Sequence, residues 1–197
     1  MATLRITPTA SPARTGVWIG IATITMSFAA YTSALVVRQG ASPDWQHFRM
    51  PPILYVNTLL LLLSSGTLEL GRARVRWSWV EQLVEGRSVA GPRGISWLYA
   101  TLALGLLFVA GQFVAWHDLA GQGLYLATNP SSAFFYIFTV LHALHLLGGI
   151  VALGYVIHRV RPLAGGPPDG PLGAAALYWH FMDVLWLYLL LVLVLRL

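Results

Sequence analysis

Five apolar blocks, each about twenty residues long or more, alternate with short polar connections along the chain, at roughly 17–37, 51–71, 95–116, 132–158 and 173–195. At 1.5 Å of rise per residue, about twenty residues span the hydrocarbon core of a bilayer as a helix. The pattern predicts an all-α, polytopic membrane protein with five transmembrane helices. Residues 1–16 form a polar tail, and 17–197 form a single membrane domain. The second block is the plainest, with five consecutive leucines from Leu59 to Leu63. The first is thinned by Thr23, Thr25, Ser27, Thr32 and Ser33. Small and hydroxylated residues suit helix–helix contact in lipid, so this span is expected to pack against protein. It is also too long for a signal-peptide core, no cleavage site precedes a soluble body, and it is expected to stay in the mature protein.

The connections carry the remaining pattern. Residues 72–94 are the longest, and 75–84 read as an interfacial amphipathic helix with Trp77 and Trp79 at headgroup level. Residues 161–172 are too rich in proline and glycine for helix and read as a loop. There is no internal repeat and no segment that reads as a soluble catalytic domain.

Charge fixes the orientation. All twelve basic residues are arginines. Nine lie on one side: Arg5 and Arg14, the cluster Arg72, Arg74, Arg76, Arg87 and Arg93, and Arg159 and Arg161. Only Arg38, Arg49 and Arg196 lie on the other. By the positive-inside rule the N-terminus is cytoplasmic and the C-terminus outside. Composition agrees with the membrane reading: 57% of the residues are hydrophobic and 10% charged, against roughly a quarter charged in soluble domains. The pI of 10.0 comes from arginines flanking apolar spans, so no nucleic-acid partner is expected. With no cysteine, disulfides, thiolate metal sites and iron–sulfur clusters are excluded.

Ionisable groups in hydrocarbon are costly, and each one calls for an explanation. His142 and His145 lie three apart in the fourth span, on one helix face. They have the chemistry for metal ligation, an axial haem position or proton relay. The plainer reading is a hydrogen bond to a neighbouring helix brought close by Gly148 and Gly149. His180 and Asp183 repeat the spacing in the fifth span. A carboxylate beside an imidazole makes either a buried clamp or a proton-sharing pair. Asp183 lies about 15 Å along its span and His145 about 20 Å from the same side, so the two pairs can meet. These four residues are expected to form one polar cluster joining the fourth and fifth helices, serving assembly more than chemistry. Glu69 sits near a cytoplasmic span end. Gln112 and Asn57 are expected to bond other helices, and His117 and Asp118 lie where polar groups are cheap. No phosphate loop, hydrolase elbow or zinc motif is present. The chain is expected to hold no catalytic, cofactor or metal site of its own.

Taken together these motifs resemble subunit three of the haem–copper oxidases, in its five-helix form. Tyr178-Trp179-His180-Phe181-Met182-Asp183-Val184-Leu185-Trp186 is similar to that family's last-helix signature almost residue for residue. His142 and His145 followed by Gly149, and preceded by Phe134-Phe135-Tyr136, resemble its penultimate helix. The run from Asn57 to Thr67 resembles its leucine-rich, double-serine helix, and Trp97 through Leu119 fits the helix between them. The resemblance covers the chain from Gly16 onward. It implies a non-catalytic core subunit of a terminal oxidase in a bacterial-type inner membrane. Haem and copper would reside in partner subunits. This subunit would pack against subunit one, with subunit two also in the complex, and support proton uptake. It would hold phospholipid in a cleft between its first two helices and the rest. Arg72, Arg74 and Arg76 are the lipid-headgroup candidates, since basic juxtamembrane clusters attract anionic lipid. Relatives carry a membrane-embedded acid in the first of these helices, but residues 20–25 contain none, and Asn57 and Gln112 stand where other acids are often found. These departures speak against a carboxylate-dependent proton antenna and leave packing and lipid holding.

Other readings stand beside this one, and for the first of them a neighbouring copper-centre subunit gene would mark an oxidase. The accessory subunit of nitric oxide reductases belongs to the same superfamily. A haem b cytochrome would need histidines facing opposite sides of one haem, whereas His142 and His145 share a helix and His47, His117 and His158 sit near span ends. A transporter would show paired broken helices, which are absent here.

Overall fold

The computed structural model describes residues 12–41, 43, 45, 47–85, 93–161 and 169–197. It contains five long helices and, among the described residues, no strand: α1 (Pro12–Ala41), α2 (Ile53–Glu85), α3 (Ile95–Gly121), α4 (Pro130–Val160) and α5 (Asp169–Arg196). All five are long and apolar enough to cross a membrane. In hydrocarbon every backbone N–H and C=O must be paired within the segment, and uninterrupted helix does this for apolar sequence.

Two boundaries depart from the sequence reading. The segment 75–84 is not a separate interfacial helix but the last turns of α2. No proline interrupts 53–85, and Val75 and Ser78 continue the buried seam of α2 without a break. At the other site, α5 already includes residues 169–172. Proline is tolerated in a helix's first turn, where its missing N–H has no partner to lose, so Pro171 does not delay the start. The rest of that predicted loop, 162–168, lies outside the described residues. So do residues 1–11 of the predicted tail, whose remainder is the first turns of α1.

Within a chain that is apolar almost everywhere, one seam per helix is buried. On α2 it is Leu54, Asn57, Leu61, Ser64, Leu68, Gly71, Val75 and Ser78; on α3, Leu98, Thr101, Gly105, Phe108, Gln112, Ala115 and Leu119. Alternating steps of three and four make a 3.5-residue repeat, the signature of left-handed, knobs-into-holes packing. Small residues bring these two antiparallel helices together. A Cβ at Gly71 would sit 2.6 Å from Leu98 Cδ2, and one at Gly111 would collide with the Asn57 carboxamide. Gly94 opens α3 with φ of 119° and lies against Arg74 and the Gly71 carbonyl, a conformation and a space that only glycine accepts. Asn129 caps α4 by accepting from Ser132 N at 2.8 Å, with Pro130 following at the first helical position.

Helix α5 packs on α1, α2 and α4, α4 packs on α1, α3 and α5, and α3 bridges α2 and α4. The first two helices do not form the expected unit set apart from the rest: α1 packs on α4 and α5 and makes no approach to α2. The α1–α2 connection crosses the end of α5 instead. There Trp45 Nε1 donates to the Arg196 carbonyl at 3.2 Å and Phe48 N to the Leu197 carbonyl at 3.1 Å, satisfying acceptors that a helix end leaves open. The hydroxyl residues of α1 pack on protein only in part: Thr32 accepts from the Tyr188 hydroxyl of α5 at 2.9 Å. Thr23 and Ser27 are exposed and return their hydrogen bonds to carbonyls four residues back. Only 22% of the apolar stretch of α1 is buried, against 44% in α3, which makes α1 the peripheral helix.

Candidate functional site

Two tryptophans and a histidine on α5 address α2 in antiparallel register. Trp186 Nε1 donates to Thr58 Oγ1 at 3.0 Å, and Trp179 Nε1 donates to Ser64 Oγ at 3.0 Å. One residue on, His180 bridges two α2 side chains. Its Nδ1 lies 2.7 Å from Ser65 Oγ and its Nε2 lies 2.8 Å from Glu69 Oε1. Arg72 completes the group by donating to Glu69 Oε1 at 2.7 Å. Both indoles are fully buried, whereas His180 is half-buried and Glu69 is exposed. The four-residue step from Ser65 to Glu69 is one turn of α2, which sets both on the face that α5 approaches.

The four residues expected to form one α4–α5 cluster are not joined to each other by hydrogen bonds. His180 turns to α2, because Ser65 and Glu69 offer it an acceptor and a hydroxyl at matching depth. His145 spends Nδ1 on the Leu141 carbonyl of its own helix at 2.7 Å, and its ring meets the edge of Phe28 on α1. His142 is fully buried, with ring centroids 5.6 Å from Phe108 and 5.1 Å from Trp186, and neither nitrogen has a hydrogen-bond partner. Asp183 is 6% exposed, and no partner reaches either oxygen in hydrogen-bond geometry. His180 stands three residues before it on α5. Tyr178 also ties α5 to α4: its hydroxyl donates to the His145 carbonyl at 2.9 Å while its ring covers Gly149. Gly149 thus admits the neighbouring helix as the sequence suggested, and Gly148 faces open space.

Asn57 and Gln112 were expected to bond across helices. Both are fully buried, yet neither carboxamide has a hydrogen-bond partner. Among the described residues no three His, Asp or Glu side chains converge as metal ligands. Glu69, Ser65, Ser64 and Thr58 were not singled out for these roles by the sequence reading. Their signal is the run of hydroxyls and one acid down α2, countered by Trp179, His180 and Trp186 running the opposite way along α5.

The three candidate lipid-binding arginines separate. Arg72 and Arg76 share a face of α2, beside Glu69 and Ala73, around a hollow of about 90 Å³. Arg74 points to α3, its guanidinium 4.9 Å from the Trp97 ring centroid.

Fold and site define a multi-pass helical membrane protein whose interior is organised around one polar-studded α2–α5 seam. The family described as cytochrome c oxidase subunit III matches residues 19–195, through all five helices, and the chain belongs to that family. Among curated relatives, it is 32% identical over 92 residues to a probable cytochrome c oxidase subunit 3 of Nocardia farcinica, covering 46% of this chain and 45% of that one. It is 29% identical over 168 residues to cytochrome c oxidase subunit 3 of Synechocystis, covering 82% of this chain and 66% of that one. It is 31% identical over 166 residues to a probable cytochrome c oxidase subunit 3 of Mycobacterium leprae, covering 82% and 75%. The chain thus spans less than half of the Nocardia protein and about two-thirds of the Synechocystis one.

Proposed function

We propose that this chain is a non-catalytic core subunit of a proton-pumping respiratory haem–copper oxidase, in which haem and copper are held by partner subunits. The observation that carries this reading is the family match through every helix, from residue 19 to residue 195. The chain packs against subunit one, with subunit two in the same complex, and supports complex stability and proton uptake. It lies in a bacterial-type plasma membrane with its N-terminus in the cytoplasm, the orientation favoured by the arginine distribution. Exposed apolar side chains such as Trp18, Met26, Leu63 and Val151 face lipid or partner subunits. Phospholipid headgroups are held at the arginine-rich end of α2, where Arg72 and Arg76 flank one hollow.

Affinity purification of a tagged chain from native membranes, with mass spectrometry and a visible spectrum, tests the assignment. Co-purification of the haem- and copper-bearing subunits is expected. Recovery with a nitric oxide reductase and no copper-centre subunit would overturn it, as would stoichiometric haem retained by the isolated chain.

A further inference from the structure

Helix α2 is longer than the bilayer it crosses. Its 33 residues measure about 50 Å, against a hydrocarbon core of about 30 Å. Arg72 lies about 28 Å from the start of the helix, at the edge of that core. Val80 lies about 40 Å along it and Val84 about 46 Å, beyond a headgroup layer of about 5–7 Å on that side. Lipid tails do not reach these positions, yet the projecting turns are apolar on one face. Trp77, Val80 and Val84 are 66%, 39% and 79% exposed and follow the i, i+3, i+7 spacing of a helix that anchors in a partner's groove. The opposite face of the same turns is already used: Val75 and Ser78 are buried, and Ser78 Oγ accepts from Arg93 N at 2.9 Å.

Beside this stripe, α2 and the entry of α3 enclose a hollow of about 540 Å³ lined by Arg74, Trp77, Ser78, Glu81, Arg93 and Ser96. The Arg93 side chain is 73% exposed and stands 3.6 Å from Glu81, a loose ion pair that leaves guanidinium donors open to a second carboxylate. We propose that the projecting end of α2 and the entry of α3 form a docking surface for an acidic, amphipathic segment of another protein on the arginine-rich side of the membrane. Apolar side chains of that segment cover Trp77, Val80 and Val84, and one of its carboxylates enters the hollow to meet Arg93.

Charge selects this occupant. Residues 72–94 hold five arginines against two acids, Glu81 and Glu85. A second copy of the chain would set the same arginines against each other, and like charges juxtaposed at an interface are unfavourable. The connection 86–92 carries Arg87 and no acid, so it adds to the positive charge instead of offsetting it. The hollow beside Arg72 and Arg76 lies nearer the bilayer, where headgroups reach it. Clustered arginines draw in an acidic partner, and Trp77 supplies the broad aromatic surface that anchors protein interfaces.

The chain contains no lysine, so Arg93→Lys introduces a single side-chain amine and keeps the charge. Native membranes carrying this variant are treated with a carbodiimide, which condenses an amine with a carboxylate in direct contact. The tagged chain is then purified and its cross-linked peptides are sequenced by mass spectrometry. The expected product joins position 93 to an aspartate or glutamate of another protein, within a segment that mixes apolar and acidic residues. Adding Val80→Glu and Val84→Glu, which alter exposed side chains outside the buried seam, should lower that product at least tenfold per chain present in the membrane. Joining of position 93 only to Glu81, to a phospholipid carboxylate or to a second copy of this chain overturns the proposal. So does the absence of any product, or a yield unchanged by the Val80→Glu and Val84→Glu pair. The readout concerns this surface alone, and membership of an oxidase complex is decided by co-purification.

Discussion

The Trp179 indole rests on Gly105 so closely that a Cβ at position 105 would sit 2.9 Å from Cη2. This contact sets the distance between α3 and α5, because both residues are buried and the indole is also fixed by Ser64. Gly105→Val should cost about 1–3 kcal/mol, the usual range for overpacking a closed interior. Gly148→Ala, on a glycine facing open space, should stay within about 0.5 kcal/mol. Thermal denaturation of the assembled complex compares the two, and equal losses would show that Trp179 moves aside.

Ser64 is the acceptor for a fully buried indole N–H. Ser64→Ala strands that donor and should cost about 1–3 kcal/mol. Trp179→Phe removes the donor, so adding Ser64→Ala to it should cost distinctly less than Ser64→Ala alone. A double-mutant cycle on thermal stability measures the difference. A coupling near zero would mean that the bond contributes nothing.

Gln112 is buried with both amide atoms unpartnered. Replacing a buried polar group that has no partner by an apolar one of similar shape is close to neutral or stabilising. Gln112→Leu should therefore leave the midpoint of thermal denaturation unchanged or raise it. A fall equivalent to more than about 2 kcal/mol would reveal a hydrogen-bonded role for the amide.

Arg72 and Arg76 share one face beside a hollow, whereas Arg74 is occupied by Trp97. Each basic residue near an anionic surface contributes about 1 kcal/mol of attraction. The double replacement Arg72→Gln and Arg76→Gln should lower the anionic phospholipid retained on purification, and Arg74→Gln should do so less. Quantitative lipid mass spectrometry of the purified complexes reads the ordering. Equal loss from Arg74→Gln would move the headgroup site toward α3.

The sequence alone specified five helices, because lipid leaves an apolar run of twenty residues no other way to pair its backbone. It also carried the family signature in residues 178–186. What it left open was rotation about each helix axis. In Leu59 to Leu63 every position is equally apolar, yet only Leu61 is fully buried while Leu59, Leu62 and Leu63 are exposed. When lipid and protein interior are both apolar, hydrophobicity no longer marks the inward face, and packing of small residues such as Gly71, Gly105 and Gly111 selects it. That rotation decided the partners. It turned His180 away from the fourth helix and toward Ser65 and Glu69, gave Glu69 a role its place near a span end had concealed, and left Asn57 and Gln112 buried without bonds. Backbone satisfaction in lipid is a local demand and is legible residue by residue; the facing of one helix to another is settled only when all five are packed together.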